Sequence, residues 1–511
     1  MLKTFLFLLL FFILLVLLIQ TAPVQNFIRA KAVSWLENKL KTRVEVGRIY
    51  IGFPKDIVLE KIYVEDQSKD TLFSGGKIKA DISLFRLIKG NVAINDLLLD
   101  NITAKVKREL PDTTFNFQFI IDAFVSKEKT RAHEINDTTN NFSIKAVTLN
   151  KIRLVYKDTI TGNDAEAMIG HFETRLTTFD PGHMQFDVSR FNLNGFNARI
   201  YQSKPLVNPE AESTDIADAK EPISLRLKVN EILLEKIDVD YRNDVSSFYT
   251  RLGLQKLLVH PDKIDLANRI IDIDNFLLEG ANAAIKLGKT KNAKIVEKET
   301  KQEVKSQAHA GWKITAASLK LDHNSLKFDN ENRKTEKKGI DYAHLDANDI
   351  TLQLDKFFFG EDSVSGKLAA ATLKEKSGLN LQKLQTEFAY GSKGASIKDF
   401  YVKTPGTELQ REAAIQYESL ESLKKDFKNA ELDIVLQKSK VQVKDVLIFV
   451  PSLNTQTAFS NPNAILYINS NIHGKISNLD INELQLSGLN DTKVNIAGTL
   501  KGLPDINTLN A

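Results

Sequence analysis

The sequence predicts an all-β chain that follows two N-terminal helices, one transmembrane and one short and amphipathic. Apolar residues alternate with a period of two over most of the chain after Lys41, which is typical of half-buried strands. Proline and glycine are scarce, at 12 and 24 of 511 residues, so little interrupts long extended segments. Residues 1–41 instead carry a continuous apolar run and then a period near 3.6, the helical repeat.

The N-terminus contains fifteen consecutive apolar residues from Phe5 to Ile19. A helix of about 20 mostly apolar residues crosses a bilayer core, and the flanking residues bring this run close to that length. A cleaved signal peptide is the alternative, because Lys3 precedes the run. Pro23 makes a poor cleavage point, so we expect a retained anchor over residues 1–22. Its representative lipid-facing residues are Phe5, Leu10, Leu15 and Ile19.

The second expected helix covers residues 23–41 and begins at Pro23. Its apolar residues recur with helical spacing, and four of them define the predicted apolar face: Phe27, Ile28, Trp35 and Leu36. A helix of this kind after an anchor can lie on the outer leaflet with a tryptophan at the interface. It can also cap the end of the following sheet, and the sequence leaves both arrangements open.

The β region contains an internal repeat. Leu154-Val155-Tyr156-Lys157-Asp158 returns 85 residues later as Val239-Asp240-Tyr241-Arg242-Asn243, and Phe191 to Ile200 returns as Phe276 to Ile285 at the same offset. Two sub-patterns with one offset indicate a multi-stranded unit that adds to its neighbour. We therefore expect an N-terminal β region over residues 42–125 and repeated modules of about 85 residues over 126–511.

A few segments are expected to depart from the β pattern. Phe119–Phe124 is compatible with a single helical turn, and Arg411–Lys428 with a longer helix. Three polar insertions lack aromatic residues and are expected to project as loops from sheet edges: Ser126–Asn140, Lys204–Glu221 and Gly288–His309.

The alternating strands leave open what covers their apolar face. A second sheet covers it in a sandwich, which is the common all-β solution. An elongated sheet curled into a gutter would instead leave this face lining a hydrophobic groove. In that arrangement the lining would include the matching residues of two repeats: Ile152, Leu154, Tyr156, Ile237, Val239 and Tyr241.

Composition and motifs argue against several classes of function. The net charge is only +4, which does not favour a nucleic-acid binder. The chain has no cysteine, which excludes disulfides and thiolate chemistry. Phosphate-binding glycine loops, the zinc-protease motif and the G-x-S-x-G nucleophile motif do not occur, and the eight histidines are scattered. We expect no enzyme activity, no catalytic residues, no cofactor and no bound metal.

Residues 1 to about 125 resemble the N-terminal region of the TamB/AsmA-like envelope proteins, in the form typical of Bacteroidota. The resemblance rests on the order and spacing of several motifs: the anchor with Pro23-Val24-Gln25, then Thr42-Arg43-Val44-Glu45-Val46-Gly47-Arg48-Ile49, Leu59-Glu60-Lys61-Ile62-Tyr63-Val64-Glu65-Asp66, Asp70-Thr71-Leu72 and Phe115-Asn116-Phe117-Gln118-Phe119-Ile120-Ile121-Asp122. The later chain is similar only in style.

The resemblance implies a single-pass inner-membrane protein with its bulk in the periplasm and a β-taco-like hydrophobic groove. It implies passive transfer of phospholipid between the inner and outer membranes, in outer-membrane biogenesis. The alternative that it carries is a translocation and assembly module, which helps to insert outer-membrane proteins with a BamA-like barrel partner. The family's C-terminal domain has no recognisable counterpart before Ala511, and we expect the repeats to continue beyond it.

Overall fold

The computed structural model describes residues 2–52, 56–83, 86, 92–111, 113–124, 142–180, 184–204, 226–289, 311–489 and 492–503. Within these residues the protein is mostly β, with 23 strands and few helices, which confirms the predicted class. The chain divides into two compact units, Met1–Arg251 and Leu252–Ala511, and each is described by itself.

Five α-helices occur among the described residues: α1 Leu2–Ile19, α2 Ala22–Leu40, α3 Gln118–Phe124, α4 Leu420–Lys425 and α5 Val443–Phe449. Three short 3-10 turns accompany the last two helices at Phe427–Asn429, Pro451–Thr455 and Thr457–Phe459. Over the part of the chain that the structure describes, no helix meets the combined length and apolarity that a membrane crossing requires.

Unit 1 contains ten strands: β1 Val44–Gly52, β2 Asp56–Glu65, β3 Thr71–Ile82, β4 Val92–Arg108, β5 Phe142–Ile144, β6 Ala146–Asp158, β7 Asn163–Asp180, β8 Gln185–Gln202, β9 Arg226–Val229 and β10 Ile232–Asn243. Strands β1 to β4 pair antiparallel in chain order. Strand β4 then pairs parallel with β5 and β6, and β8 pairs parallel with β9 and β10. Strands β6, β7 and β8 form an antiparallel meander between these two parallel junctions.

Unit 2 contains thirteen strands, of which the first begins just before the unit boundary: β11 Phe248–Asp265, β12 Ile270–Glu279, β13 Asn282–Leu287, β14 Lys313–Asn330, β15 His344–Phe359, β16 Ser363–Glu375, β17 Asn380–Gly391, β18 Gly394–Lys403, β19 Glu408–Gln416, β20 Glu431–Gln442, β21 Ile465–Lys475, β22 Asn478–Gly488 and β23 Thr492–Lys501. Strand β11 pairs antiparallel with β12, and β12 and β13 both pair parallel with β14. From β14 to β23 every successive pair is antiparallel.

The three predicted insertions fall between strands that pair in parallel. They separate β4 from β5, β8 from β9 and β13 from β14. Two successive strands that pair in parallel need a crossover connection, which returns the chain to the end of the sheet where the first strand began. The polar insertions lie at the positions in the sequence where such crossovers are needed. The insertions lie almost wholly outside the described residues, and the module boundaries predicted from the sequence stay predictions.

A line of left-handed residues crosses the sheet of unit 1. Lys61, Asn101, Lys151, Gly195 and Lys236 all have φ between 52° and 71°. They occupy matching register positions on β2, β4, β6, β8 and β10. We call this row the bend line, because a left-handed residue departs from the extended conformation of a strand and changes its direction.

Glycines on the antiparallel strands make the bend line possible. Gly47 faces Lys61, and a Cβ added to Gly47 would lie 2.9 Å from the Cβ of Lys61. Gly76 faces Asn101, where an added Cβ would lie 3.1 Å from the Cβ of Asn101. Because these backbones approach so closely, a side chain on the facing strand would push the two strands apart.

The bend line shifts the alternation of side chains by one residue. On β1, Val44 and Val46 are buried, and the next buried apolar residue is Ile49 instead of position 48. A three-residue step in a regular strand would place Ile49 on the opposite face. On β1 this change of parity falls beside Gly47, the residue that faces Lys61 of the bend line.

Unit 2 bends its strands with β-bulges. The register shifts within most of the antiparallel pairs from β14 onward, for example between Gln385 and Glu387 and between Leu436 and Ser439. Bulges leave backbone groups without ladder partners, and buried polar side chains bind two of these groups. The Thr386 hydroxyl donates to the Lys398 carbonyl at 3.1 Å, and the Gln410 amide donates to the Ser439 hydroxyl at 3.2 Å.

The helix predicted over Arg411–Lys428 is wrong in its first half. Arg411 to Gln416 belong to β19, where Ala413 pairs with Ile434 and Ile415 with Leu432. The only α-helix described within that range is α4, a six-residue helix capped by Ser419, and a 3-10 turn begins at Phe427. The single turn predicted at Phe119–Phe124 is confirmed by α3.

We predict that Lys151→Val destabilises the protein, because a β-branched residue in the left-handed region costs about 1–3 kcal/mol. Lys151→Gly is the matched control. Glycine adopts positive φ without strain but loses more chain entropy on folding, so the two terms nearly cancel. Urea unfolding followed by circular dichroism measures both variants. Equal losses for valine and glycine would contradict a conformational role for the bend line.

Candidate functional site

The candidate site in unit 1 is the apolar face of its sheet. Three cross-strand rows lie beside the bend line. The bend row contains Val46, Ile62, Ile102, Ile152, Ile169, Phe196 and Ile237; the middle row contains Val44, Val64, Phe73, Ala104, Leu154, Ala167, Ala198 and Val239; the outer row contains Val106, Tyr156, Ala165, Ile200 and Tyr241.

The structure brings the six predicted lining residues together in pairs. Ile152 and Ile237 belong to the bend row, Leu154 and Val239 to the middle row, and Tyr156 and Tyr241 to the outer row. Strands β7 and β8 separate the members of each pair. Residues that correspond in the two repeats thus occupy equivalent places on one face.

Burial varies within these rows: Val44 and Ala198 of the middle row are buried, whereas Leu154 of the same row is exposed. Ile152 is only 5% exposed, whereas Leu154, two residues further along the same strand, is 42% exposed. Ile62 and Ile102 of the bend row are also buried, and Ile200 of the outer row is exposed. A second sheet packed over this face would bury Leu154 and Ile200 as well, so the face is open at these two residues.

A polar row closes the apolar face at one end of the strands. Arg108, Asp158, Asn163, Gln202 and Asn243 follow the outer row in register and share its face. The tyrosines of the outer row bond to it: the Tyr156 hydroxyl donates to Asp158 at 3.2 Å, and the Tyr241 hydroxyl to Gln202 at 3.1 Å. We call it the rim row.

Asp158 is the most buried member of the rim row. Arg108 donates two hydrogen bonds to its carboxylate, and the Thr161 hydroxyl donates a third at 2.7 Å. The bond from Arg108 and those from Thr161 and the Ile160 amide hold the pKa of the Asp158 carboxyl well below its ordinary value, against the opposing effect of burial. The carboxylate is therefore ionised at any physiological pH.

The next repeat builds the same turn with a neutral residue. The Val245 and Ser246 amides donate to the Asn243 side-chain oxygen at 2.9 and 3.1 Å. The Ile160 amide donates to Asp158 in the equivalent way at 3.0 Å. The turn itself needs no charged residue, because the amide side chain of Asn243 forms it in the next repeat. The negative charge of Asp158 is therefore explained by its pairing with Arg108.

A segment before α3 packs against the rim row. The Asn116 amide donates to the Lys107 carbonyl at 2.9 Å, and its side chain donates to the buried Asp66 at 3.1 Å. These bonds place the Phe115 ring 4.6 Å from the Arg108 guanidinium and 6.2 Å from the Tyr156 ring. The start of the motif that runs from Phe115 to Asp122 therefore covers one end of the apolar face.

The second candidate site is an apolar depression in unit 2. It is lined on four neighbouring strands by Phe388, Tyr390, Ala395, Ile397, Ala413, Ile415, Leu432 and Ile434. These residues form two adjacent cross-strand rows on one face. Tyr390 and Ile397 are exposed, whereas Leu354, Leu368 and Ala371 form a buried cluster beside the bulges of β15 and β16. Unit 2 therefore also leaves apolar side chains open.

The opposite face of unit 1 is polar and charged. The row next to Leu154 contains Arg153, whose guanidinium lies 2.7 Å from the Glu166 carboxylate, and both side chains are exposed. On β10 the equivalent position is Asp238, which pairs with Arg251 at 3.0 Å. Exposed pairs of this kind contribute little to stability. They require water, however, so this face of the sheet is the hydrated one and the other face is the apolar one.

The structure separates the predicted residues of the amphipathic helix. Ile28 and Leu36 of α2 are partly buried, whereas Phe27 and Trp35 are exposed. Among the predicted anchor residues on α1, Leu10 is exposed and Ile19 is partly buried. The side chains of Phe5 and Leu15 lie outside the described residues.

The comparisons with known proteins return no relative. No family model, no curated protein and no solved structure matches the chain. Over the described ranges, no cluster of three or more His, Cys, Asp or Glu side chains is placed to hold a metal ion.

The sequence analysis missed the bend line, although the sequence carries a signal for it. Five strands share one four-residue pattern, in which an apolar residue precedes and follows a polar or glycine pair: Leu59-Glu60-Lys61-Ile62, Leu99-Asp100-Asn101-Ile102, Leu149-Asn150-Lys151-Ile152, Leu193-Asn194-Gly195-Phe196 and Leu234-Glu235-Lys236-Ile237. The third residue is the left-handed one in every case. The bend is therefore marked in the sequence by two apolar residues three positions apart, in a segment where apolar residues otherwise recur at every second position.

We predict that Asp158→Asn lowers the free energy of unfolding at pH 7 by about 2 kcal/mol, because it removes charged hydrogen bonds from Arg108. The folded-state pKa of Asp158 lies below the unfolded one. Its contribution is therefore complete above about pH 4 and is lost as the pH falls further. Denaturant titrations at pH 7 and pH 3 should show a smaller difference between variant and parent at pH 3. A constant difference would contradict this assignment.

We also predict unequal costs for two truncations in unit 2. Leu354 is only 6% exposed. We therefore expect Leu354→Ala to lower the free energy of unfolding by about 2–5 kcal/mol, as truncation of buried leucines does. Ile397 is 37% exposed, so Ile397→Ala removes little buried area and should cost less than about 1 kcal/mol. Both values come from urea unfolding. A large loss at Ile397 would mean that its face is packed in solution.

Proposed function

We propose that this protein is an inner-membrane-anchored periplasmic protein that conducts phospholipid along an apolar groove by passive transfer. The observation that carries the proposal is the open apolar face, which occurs in both units with exposed side chains at its centre. Monomeric soluble proteins rarely leave contiguous apolar surface of this kind uncovered unless it binds something. The resemblance of residues 1–125 to TamB/AsmA-like proteins supports the same function and the periplasmic location.

The physical chemistry of lipid transfer fits such a face. An acyl chain loses about 0.8 kcal/mol for each CH₂ group that it exposes to water. Rows of Ile, Leu, Val and Ala offer the tail a dry surface, and the headgroup can stay in water at the open side. Transfer of this kind breaks no covalent bond, so the proposed function needs no catalytic residue, cofactor or metal.

The proposal also gives the bend line a role. In the proposed groove, the change of direction at the bend line would divide each strand into two arms. The burial of Ile102 and Ile152 next to the bend line, beside the exposure of Leu154, fits a curled sheet with its deepest part at the bend. Lipid tails would lie in this trough.

We predict that Leu154→Glu abolishes phospholipid binding without unfolding the protein. The side chain is exposed, so the charge stays hydrated in the empty protein but would contact acyl chains in the loaded one. Lipids that co-purify with the full chain are counted by mass spectrometry, and circular dichroism reports the fold. Arg153→Gln is the control, because it changes the net charge by the same single unit on the opposite face.

Three outcomes would contradict the proposal of a lipid groove. A parent protein that folds but carries no phospholipid would favour the alternative, a translocation and assembly module whose clients are outer-membrane proteins. A Leu154→Glu variant that unfolds would mean that the apolar face is a packed core. Full lipid content in both variants would place the bound lipid elsewhere on the protein.

A further inference from the structure

We propose that α2 is a two-faced docking helix, one face fixed to the first strand of the sheet and the other embedded in the surface of an anionic lipid bilayer. The proposal rests on the membrane anchoring in the proposed function and adds the residues that make the contact. It concerns unit 1 alone.

The inner face of α2 binds the backbone of the edge strand β1. The Arg29 guanidinium donates to the Val46 carbonyl at 3.1 Å, and the Val44 amide donates to the Glu37 carboxylate at 3.3 Å. Among the described residues β1 pairs only with β2, so these bonds bind backbone groups that an edge strand would otherwise expose. The helix is therefore held to the sheet by directional bonds as well as by its half-buried Ile28 and Leu36.

The outer face of α2 presents two large aromatic side chains to solvent. Phe27 is 63% exposed and Trp35 is 56% exposed. They are eight residues apart, so they lie on the same side of a helix two turns from each other. Ala30 and Ser34, which are also exposed, lie between them. Two large rings with small residues and the cation of Lys31 between them form an amphipathic stripe, as interfacial helices have.

The charges of α2 favour an anionic surface. The helix carries Arg29, Lys31 and Lys39 against the single acid Glu37, and Arg29 and Glu37 bind β1. The charges left on the outer side are therefore Lys31 and Lys39, both basic. Lys31 lies 5.8 Å from the centre of the Phe27 ring, so a cation sits beside the apolar stripe. Such a cation near a bilayer surface contributes about 1 kcal/mol with anionic lipids.

The short connection between α1 and α2 places the outer face of α2 at the bilayer surface. Only Gln20 and Thr21 separate α1 from α2, and the Thr21 hydroxyl and amide both donate to the Leu18 carbonyl, at 2.7 and 3.1 Å. A helix that begins two residues after a membrane anchor starts at the bilayer surface. Because α2 also holds β1, the apolar rows of unit 1 begin at the bilayer surface, where lipid can enter them.

Depth-dependent fluorescence quenching tests the proposal on the full chain. The protein has two tryptophans, so Trp312→Phe leaves Trp35 as the only emitter. The protein is reconstituted into vesicles of phosphatidylcholine and phosphatidylglycerol that carry bromine either near the headgroup or near the bilayer centre. We expect the shallow bromine to remove about half of the Trp35 emission and the deep bromine much less, as for tryptophan at an interface.

A matched variant and a flotation assay separate the possible outcomes. Trp35→Phe keeps only Trp312, which precedes β14 in unit 2, and its quenching measures the background from a tryptophan outside α2. Flotation of the protein with vesicles but no quenching of Trp35 would overturn the docking of α2 and leave the anchor intact. Failure of the protein to float with the vesicles would overturn both the docking of α2 and the membrane anchoring. Loss of co-purifying phospholipid in the Leu154→Glu variant reports on the groove independently.

Discussion

The bend line is the constraint on which the rest of unit 1 depends. A long strand that alternates regularly has two faces, and a three-residue apolar step would divide its apolar side chains between them. A left-handed residue such as Asn101 or Lys151 interrupts the alternation at this step. The cost of placing non-glycine residues there, about 1 kcal/mol each or more, recurs on several strands. Because these residues share one register position, the apolar residues that follow them, such as Ile102 and Ile152, lie in one cross-strand row.

Stability in such a fold cannot come chiefly from a core. Few apolar side chains of the described residues are fully buried, and several of them lie next to the bend line or the bulges, such as Ile102 and Leu354. Backbone ladders, cross-strand pairs and buried polar bonds therefore carry a larger share than in a compact domain. The bonds of Asp158, Thr386 and Ser439 stand where the ladders are interrupted, and each satisfies a group that would otherwise be buried without a partner.

The sequence predicted the mostly β class, because alternation reports directly on strands. That the six matching residues line a groove stays a prediction. It could not predict parallel pairing at β4 and β8, since crossover segments leave no periodic trace. Segment 411–428 was misassigned because Ala413, Ala414 and Ile415 suit a helix or a strand, and their pairing with Leu432 and Ile434 decided it. The α2 stripe was treated as one face, but Ile28 and Phe27 turned out to be directed to different surroundings. The two side chains differ because β1 lies against one side of α2. A local sequence pattern contains no information on the position of that strand.

An open apolar face also links stability to occupancy. Any ligand that binds the folded sheet and not the unfolded chain stabilises it in proportion to the logarithm of its concentration. Acyl chains over Leu154 and Ile200 would bury surface that the empty protein leaves exposed. The rim row adds little to such binding, because Asp158 and Gln202 already bond within the protein. Affinity on this face would therefore scale with tail length, and a chain that is stable while empty can release what it carries.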